Sequence, residues 1–577
     1  MHLRGINRAL CLFAVIAILF GCRKTSVDAA KAGAVPVFGA AEGPQQLSSD
    51  GQASLQTFID SAHLSDLQYP DFQNYRAEAK EFYGTVGDRL PWVLGRQPSP
   101  QAQALTNLFK GAEEEGLNPV DYDGPRWDGR LATIETGHAS ESELVRFDLA
   151  ITISAMRYIS DLNHGRVNPR TVRFDLEIDN ANFDLSEFVR QKLVGAEDVN
   201  AVMRTVEPPF PAYRQTVGAL KTYLKLASES GSELLPVPPK PVKPGDSYTG
   251  VPQLKRLLVL LSDLAATDAI VAPDLAYTGP LVTAVARFQR RHGLEPNGII
   301  GTQTFEDLNT PVSQRVLQLK LTLERWRWLP HEFEQPPLVV NIPEFRLYAA
   351  TEEYRPAFSM NVVVGRSFKH QTPVFTTQLK SVIFRPYWNV PLDIQRDELV
   401  PELKKNPHYL RDHSYEVVDA QGTIVSDDSV SEDMERQLDS GKLAIRQRPG
   451  PDNSLGLVKF DMPNSYDVYM HGTPAVHLFS RPRRDFSHGC IRVENPVALA
   501  AWVLRDNPGW DTDRILGAMN GDQTFGVSLT KPIPVLILYG TAIVADDGEV
   551  DFFDDIYELD ADLEKVLVKG YPYSPNE

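Results

Sequence analysis

The apolar pattern of this chain changes period near residue 330, and that change limits what it can fold into. Before it, apolar residues recur at helical spacing. The longest such run is "LVRFDLAITISAMRYISDLNHGRV" (144–167), with a stop signal at residues 163–165. After it come β-branched and aromatic runs broken by turn residues: "PLVVNIPEFRLYAAT" (337–351), "SMNVVVGRS" (359–367), "FTTQLKSVIFRPYWNVP" (375–391), "YDVYMHGTP" (466–474) and "IPVLILYGTAIV" (533–544). Several alternate with period two, as half-buried strands do. The chain has 577 residues, room for about three or four domains. The expected architecture is multidomain α+β. Helices occupy 51–233, and a proline-rich linker, "LLPVPPKPVKPGDSY", covers 234–248. A compact helical unit follows at 249–310, with a connecting helix at 311–336. A β-rich, sandwich-like domain spans 337–545, and a C-terminal extension covers 546–577.

The N-terminus reads as an export signal. Arg4 and Arg8 precede the apolar run "ALCLFAVIAILFG" (9–21), which is shorter than the roughly 20 residues of a spanning helix. "LFGC" (19–22) resembles a bacterial lipobox, which would make Cys22 the lipidated residue; an ordinary signal peptide or an uncleaved anchor also fits. Residues 23–50 are rich in Ala, Gly, Ser and Pro and read as a flexible tether. Each reading puts the rest of the chain outside the cytoplasm. Arg23 and Lys24 carry no acidic inner-membrane retention signal, so the expectation is a periplasmic protein anchored in the outer membrane. The formal net charge of −18 argues against non-specific nucleic-acid binding. No Cys/His cluster has zinc spacing, so neither a metal nor another cofactor is expected.

There are three cysteines. If Cys11 leaves with a signal peptide and Cys22 is acylated, Cys490 has no intramolecular partner. An odd cysteine in an exported chain is a candidate reactive thiol, or else a small buried hydrophobe. Its neighbours, "FSHGCIRVENP" (486–496), favour reactivity. A thiol attacks as the thiolate and needs a base or a positive field within reach. His488 lies two positions before it. His471 lies 19 positions before it, at the end of "YDVYM", and a base on a neighbouring strand approaches a sulfur more freely. The Gly472 carbonyl is open to orient an imidazole. Gly489 permits a sharp turn, with the N–H groups of Gly489 and Cys490 directed at a developing oxyanion. Arg492 adds positive charge for the thiolate or for a carboxylate. After the cysteine, Asn495 and Pro496 read as the cap and first residue of a helix.

Two resemblances extend this reading. "AVARFQRRHGL" followed by "NGIIGTQT", within 279–309, resembles the small three-helix peptidoglycan-binding domain. Val282, Val285, Phe288, Leu294, Ile299, Ile300 and Phe305 would form its core. Arg290, Arg291 and His292 would be either a solvated face or a ligand site. "HGTP" followed by "SHGCIRV" resembles the His…Ser-His-Gly-Cys-x-Arg signature of the YkuD-type L,D-transpeptidase catalytic domain. The module order, with "LERWRWLP", "PYWNVP" and "PGPDNSLGLVKF", resembles the large YcbB-like branch.

This second resemblance implies that Cys490 is the nucleophile and His471 its base, oriented by the Gly472 carbonyl. The backbone of residues 488–490 would form the oxyanion hole, with His488 and Arg492 supporting site and substrate. Tyr387, Trp388, Asn453, Tyr469 and Ser487 would line the substrate cleft, although the aromatic pair at 387–388 could equally be strand core. The implied reaction is acyl transfer on peptidoglycan stems. Cys490 takes the carbonyl of the third residue, a diamino acid, D-Ala leaves, and a second stem's amine gives a 3→3 crosslink. Water as acceptor would make a carboxypeptidase, and a lipoprotein lysine an anchoring enzyme. The resemblance also implies covalent acylation by carbapenems. Expected partners are peptidoglycan peptides and glycan, and a membrane through the lipid anchor. Residues 392–458 interrupt the strands with charged, helical sequence and read as an inserted cap, with the placement of a lid. The rival readings are a wall-peptide hydrolase using the same thiol, a redox-sensing thiol, and a non-catalytic wall-anchoring protein, whose function would survive Cys490→Ala.

Overall fold

The computed structural model describes residues 43–176, 183–229, 231, 234–269, 275–406 and 408–573. The apolar run 9–21, Cys22 and the tether up to residue 42 lie outside them. The tether's last residues are built into the fold, because Pro44–Gln46 forms a strand against Arg89–Leu94 and a helix follows at Ser49–Ser61.

The helical region packs around Glu141–His164. Ser140 and Glu143 form a capping box at its start, and Gly165 ends it with φ +78°. Its buried residues lie on every face, from Leu144 to Leu162, so it is a central helix and not a surface one. Arg166, just past its end, is structural. Its Nε meets Glu324 Oε2 at 3.0 Å in a nearly solvent-free pair, and the Val167 N–H donates to the same carboxylate at 3.0 Å. Glu324 belongs to Val312–Trp326, the helix that carries "LERWRW". The helical region is thereby tied to the segment entering the β domain.

The compact unit has helices at Val251–Leu260, Pro280–Arg291 and Thr302–Leu308, plus a short turn of helix at Ala266–Ala269. Val285, Phe288, Leu294 and Ile300 are buried, and Val282 and Phe305 pack beside them. Ile299 is half-buried. The proline-rich stretch is not a free spacer: Leu235, Val242 and Tyr248 belong to this core, and Val242 bridges to Ile300. Arg291 and His292 face inward. Arg291 Nε donates to Asp263 at 2.8 Å, and His292 stacks on Phe288 with ring centres 3.8 Å apart. Of the three basic residues, Arg290 remains on the surface, 3.7 Å from Glu549.

The β domain is built on a ten-stranded sheet. Its main path runs Val458–Asp461, Met470–His471, Ile491–Val493, Pro356–Gly365, Arg346–Ala350, Leu338–Asn341, Phe525–Leu538 and Val374–Phe384. Val458–Asp461 then pairs back onto Val374–Phe384, so the path closes into a rolled form of the sandwich-like arrangement expected. The helical region contributes one strand, Phe174–Asp175, parallel to Val374 and Phe375. Helices Pro211–Glu229 and Val312–Trp326 share the sheet's apolar core.

The insertion has its own core, including Leu399, Val400, Leu410, Val417, Leu438 and Ile445. It carries the expected helices and also a four-stranded sheet formed by 424–426, 415–418, 444–447 and 388–389. The run expected as one strand over 375–391 is therefore divided. It ends at Phe384, Arg385 turns with φ +52°, and Trp388–Asn389 joins the insertion's sheet. At its other end, 458 already belongs to the closed sheet.

Candidate active site

Strand register assembles the site. Met470–His471 lies parallel to Ile491–Val493, with Met470 opposite Ile491 and His471 opposite Arg492. On its other side Lys459 faces His471. Residues opposite one another, and residues two apart along a strand, share a sheet face. Lys459, Tyr469, His471, Cys490 and Arg492 are thus on one side, although they come from three separate stretches of chain. Ile491 and Val493 point the other way into the core. Asn495 caps the following helix, Pro496–Val503, by accepting from the Ala498 N–H at 3.0 Å.

His471 is buried, and its Nδ1 lies 2.5 Å from the Gly472 carbonyl. A carbonyl only accepts, so Nδ1 carries the hydrogen and Nε2 keeps its lone pair. Burial, helped by the Arg492 charge, lowers the imidazole pKa to about 3. At neutral pH it is an uncharged base. Gly456 lets the preceding loop close on this turn. It has φ +64°, and a Cβ there would sit 2.7 Å from Thr473 N and 2.8 Å from Gly472 C.

The Cys490 thiol is unpaired and half-buried. Burial raises its pKa; hydrogen bonds from the Tyr469 backbone and hydroxyl, with the Lys459 and Arg492 charges, pull it part of the way back. Its resting state is a thiol, 3.8 Å from the Asp467 carbonyl, on the same sheet face as a neutral imidazole. Lys459 Nζ sits over the Tyr469 ring at 4.1 Å, and Trp388 hydrogen-bonds the Tyr469 side chain. Arg492 Nε is buried without a partner among the described residues. A guanidinium only donates, so this edge is suited to a carboxylate or carbonyl oxygen.

The loop at 487–490 corrects three expectations. The Gly489 N–H is not available to an oxyanion, because it donates to Ser487 Oγ at 3.1 Å. Ser487 is not a cleft residue. It is buried, and its hydroxyl donates to the Cys490 carbonyl at 2.6 Å, so both its bonds hold the loop. His488 faces the insertion and not the sulfur, with Nε2 2.6 Å from Glu398 Oε1. The Cys490 N–H donates to no group among the described residues. Asn453 is a fourth correction. It is 1 % exposed, its Nδ2 donates to the Arg448 carbonyl at 3.0 Å, and its Oδ1 accepts from the Leu455 N–H at 2.8 Å. Its amide shapes the loop. Tyr387 is exposed under the Arg446 guanidinium, 4.6 Å from the ring centre, and Trp388 sits in the insertion's sheet. Neither is core of the closed sheet.

Sequence reading missed Glu398, Lys459, Thr372 and Tyr557. Glu398 lay inside a charged helical run without any motif. Lys459 is brought in by strand pairing. Thr372 and Tyr557 approach the cysteine loop from behind.

Comparison with known families agrees with this geometry. Residues 336–528 match the model of the L,D-transpeptidase catalytic domain, YkuD. Residues 247–308 match a "Putative peptidoglycan binding domain" and residues 77–220 a scaffold domain. Among curated proteins, a "Putative L,D-transpeptidase" of Haemophilus influenzae (strain ATCC 51907 / DSM 11121 / KW20 / Rd) is 33% identical over 262 residues, or 44% of this chain and 51% of the relative. The match thus spans about half the length of that relative. The chain carries a YkuD L,D-transpeptidase catalytic domain and a peptidoglycan-binding domain.

Proposed function

We propose that the protein is an L,D-transpeptidase that crosslinks peptidoglycan stems through a thioester on Cys490. The observation that carries this reading is the single sheet face holding an unpaired thiol, a neutral imidazole with its lone pair on Nε2, and an unpartnered guanidinium nitrogen. The donor is a tetrapeptide stem. As Sγ attacks the carbonyl of the third residue, its proton passes to His471 Nε2. The S–C bond forms, the C–N bond to D-Ala breaks, and the departing amine takes the proton. The side-chain amine of a second stem then attacks the thioester. It gives up a proton to His471, the C–S bond breaks, and the departing sulfur takes that proton back, leaving a 3→3 crosslink and the resting thiol. The Cys490 N–H supports the oxyanion in both halves. Arg492 receives a substrate carboxylate or carbonyl.

The peptidoglycan-binding module keeps the chain on its polymeric substrate. Both domains belong with an exported protein, with lipidation at Cys22 as the proposed anchor. No helix among the described residues is long and apolar enough to cross a membrane.

The test is mass spectrometry of products from a disaccharide-tetrapeptide, with Cys490→Ala beside the unsubstituted chain. A crosslinked dimer that lacks one D-Ala and is absent with the variant is the expected result. Tripeptide monomer alone would make the protein a carboxypeptidase. No turnover, and no carbapenem adduct at Cys490, would overturn acyl transfer altogether.

A further inference from the structure

Behind the cysteine loop lies a closed set of hydrogen bonds with one end in the C-terminal extension. Thr372 Oγ1 is 2.7 Å from the Gly489 carbonyl and 2.9 Å from the Gly365 N–H. A carbonyl only accepts and an amide N–H only donates, so the hydroxyl gives its proton to Gly489 and accepts from Gly365. The Tyr557 hydroxyl repeats this logic. It donates to the Gly365 carbonyl at 2.5 Å and accepts from the Thr372 N–H at 3.2 Å. Thr372 and Tyr557 are 1 % and 3 % exposed. Water therefore does not compete for these bonds, and each has a fixed direction.

The consequence reaches the reacting atoms through one peptide plane. The C=O and N–H of a trans peptide point in opposite directions. Holding the Gly489 carbonyl toward Thr372 therefore aims the Cys490 N–H away from it, toward the substrate side. Gly489 needs this support. Its φ of +111° is one that side-chain-bearing residues rarely adopt, and glycine is the residue freest to leave it. We infer that Thr372, clamped by Tyr557, is a positioning residue for the oxyanion donor. By this inference the C-terminal extension, beyond the matched catalytic domain at 336–528, is part of the catalytic apparatus. The inference rests on the acyl-transfer reading of Cys490.

Two reactions of the same sulfur separate the roles. Acylation by a disaccharide-tetrapeptide develops an oxyanion. Alkylation by iodoacetamide, in which an S–C bond forms and iodide leaves, does not. Thr372→Val keeps the shape and loses the hydroxyl, whereas Thr372→Ser keeps the hydroxyl. Thr372→Val is expected to lower kcat for acylation at least about 10-fold, part of the loss typical of removing an oxyanion donor outright. KM and the iodoacetamide rate stay unchanged. Thr372→Ser stays within about threefold of the unsubstituted protein, since it keeps the positioning bond. Should Thr372→Val not fold, Tyr557→Phe carries the same comparison with a smaller loss. Acylation unchanged by loss of the hydroxyl, or alkylation falling in step with acylation, would overturn the inference alone. Absence of any Cys490 adduct in the unsubstituted chain would overturn the acyl-transfer reading and this inference with it.

Discussion

At the scale of single residues, the central feature is that thiol and imidazole are both uncharged at rest. Burial pushes Cys490 up and His471 down to about 3. A preformed thiolate–imidazolium pair would react at full rate from mildly acidic pH upward. Here the iodoacetamide rate is expected to climb with pH through the neutral range and past pH 9, without a plateau; a plateau near neutrality would show an ion pair at rest. The same shift bears on stability. The His471 pKa is depressed on folding, so the folded state gains from neutral imidazole above its unfolded value of about 6.5. That contribution fades as pH falls toward 3.

At the scale of elements, the insertion meets the cysteine loop through Glu398 and the neighbouring residues 369–370 through Asp393 and Asp397. Glu398 meets His488 at 2.6 Å, Asp393 lies 3.7 Å from His370, and Asp397 lies 3.8 Å from Lys369. The His370 and His488 rings are 4.9 Å apart. Trp388 adds a bond to Tyr469 from the insertion's sheet. These contacts hold the insertion against the loops beside the site. The Glu398 side chain is 47 % exposed, so its pair contributes only about 0–1 kcal/mol after solvent screening. Glu398→Gln is accordingly expected to speed iodoacetamide access to Cys490 by at most about fivefold. An unchanged rate would mean that this contact does not gate the thiol.

At the scale of the whole molecule, the helical region keeps a core of its own, while its residues 167–176 and the helix Pro211–Glu229 pack into the β domain's core, and Glu324 is the charge at this junction. It meets Arg166 at 3.0 Å and Arg327 at 3.8 Å, with all three side chains buried. Removing one partner of such a set leaves uncompensated buried charge, at a cost of about 3–5 kcal/mol. Glu324→Ala should lower the urea midpoint of the unfolding transition by a corresponding amount. A shift within error would mean that water reaches the two arginines. The C-terminal segment adds a second tie: Arg157 stacks over Tyr571 at 4.7 Å, and the Tyr573 hydroxyl bonds Asp121.

The sequence by itself determined the module types and singled out the residues on which the proposed chemistry rests. Periodicity is local, so the helical region, the compact unit and the strands could be read from short windows. The proposed nucleophile and base could be singled out because Cys490, Arg492 and "HGTP" lie in compact motifs. What each polar side chain has left to offer depends on tertiary structure. Asn453 and Ser487 look available in sequence, but backbone groups of their own loops use up their hydrogen bonds. The boundary near 388 was hidden because Trp388 pairs with Gln447 and not with its own strand's neighbours. Glu398 is 90 residues from its partner His488, and Thr372 is 117 from Gly489 and 185 from Tyr557. No local pattern encodes such distances. They are set by strand register and by the docking of the C-terminal extension, which decide which residues hold the cysteine loop in shape.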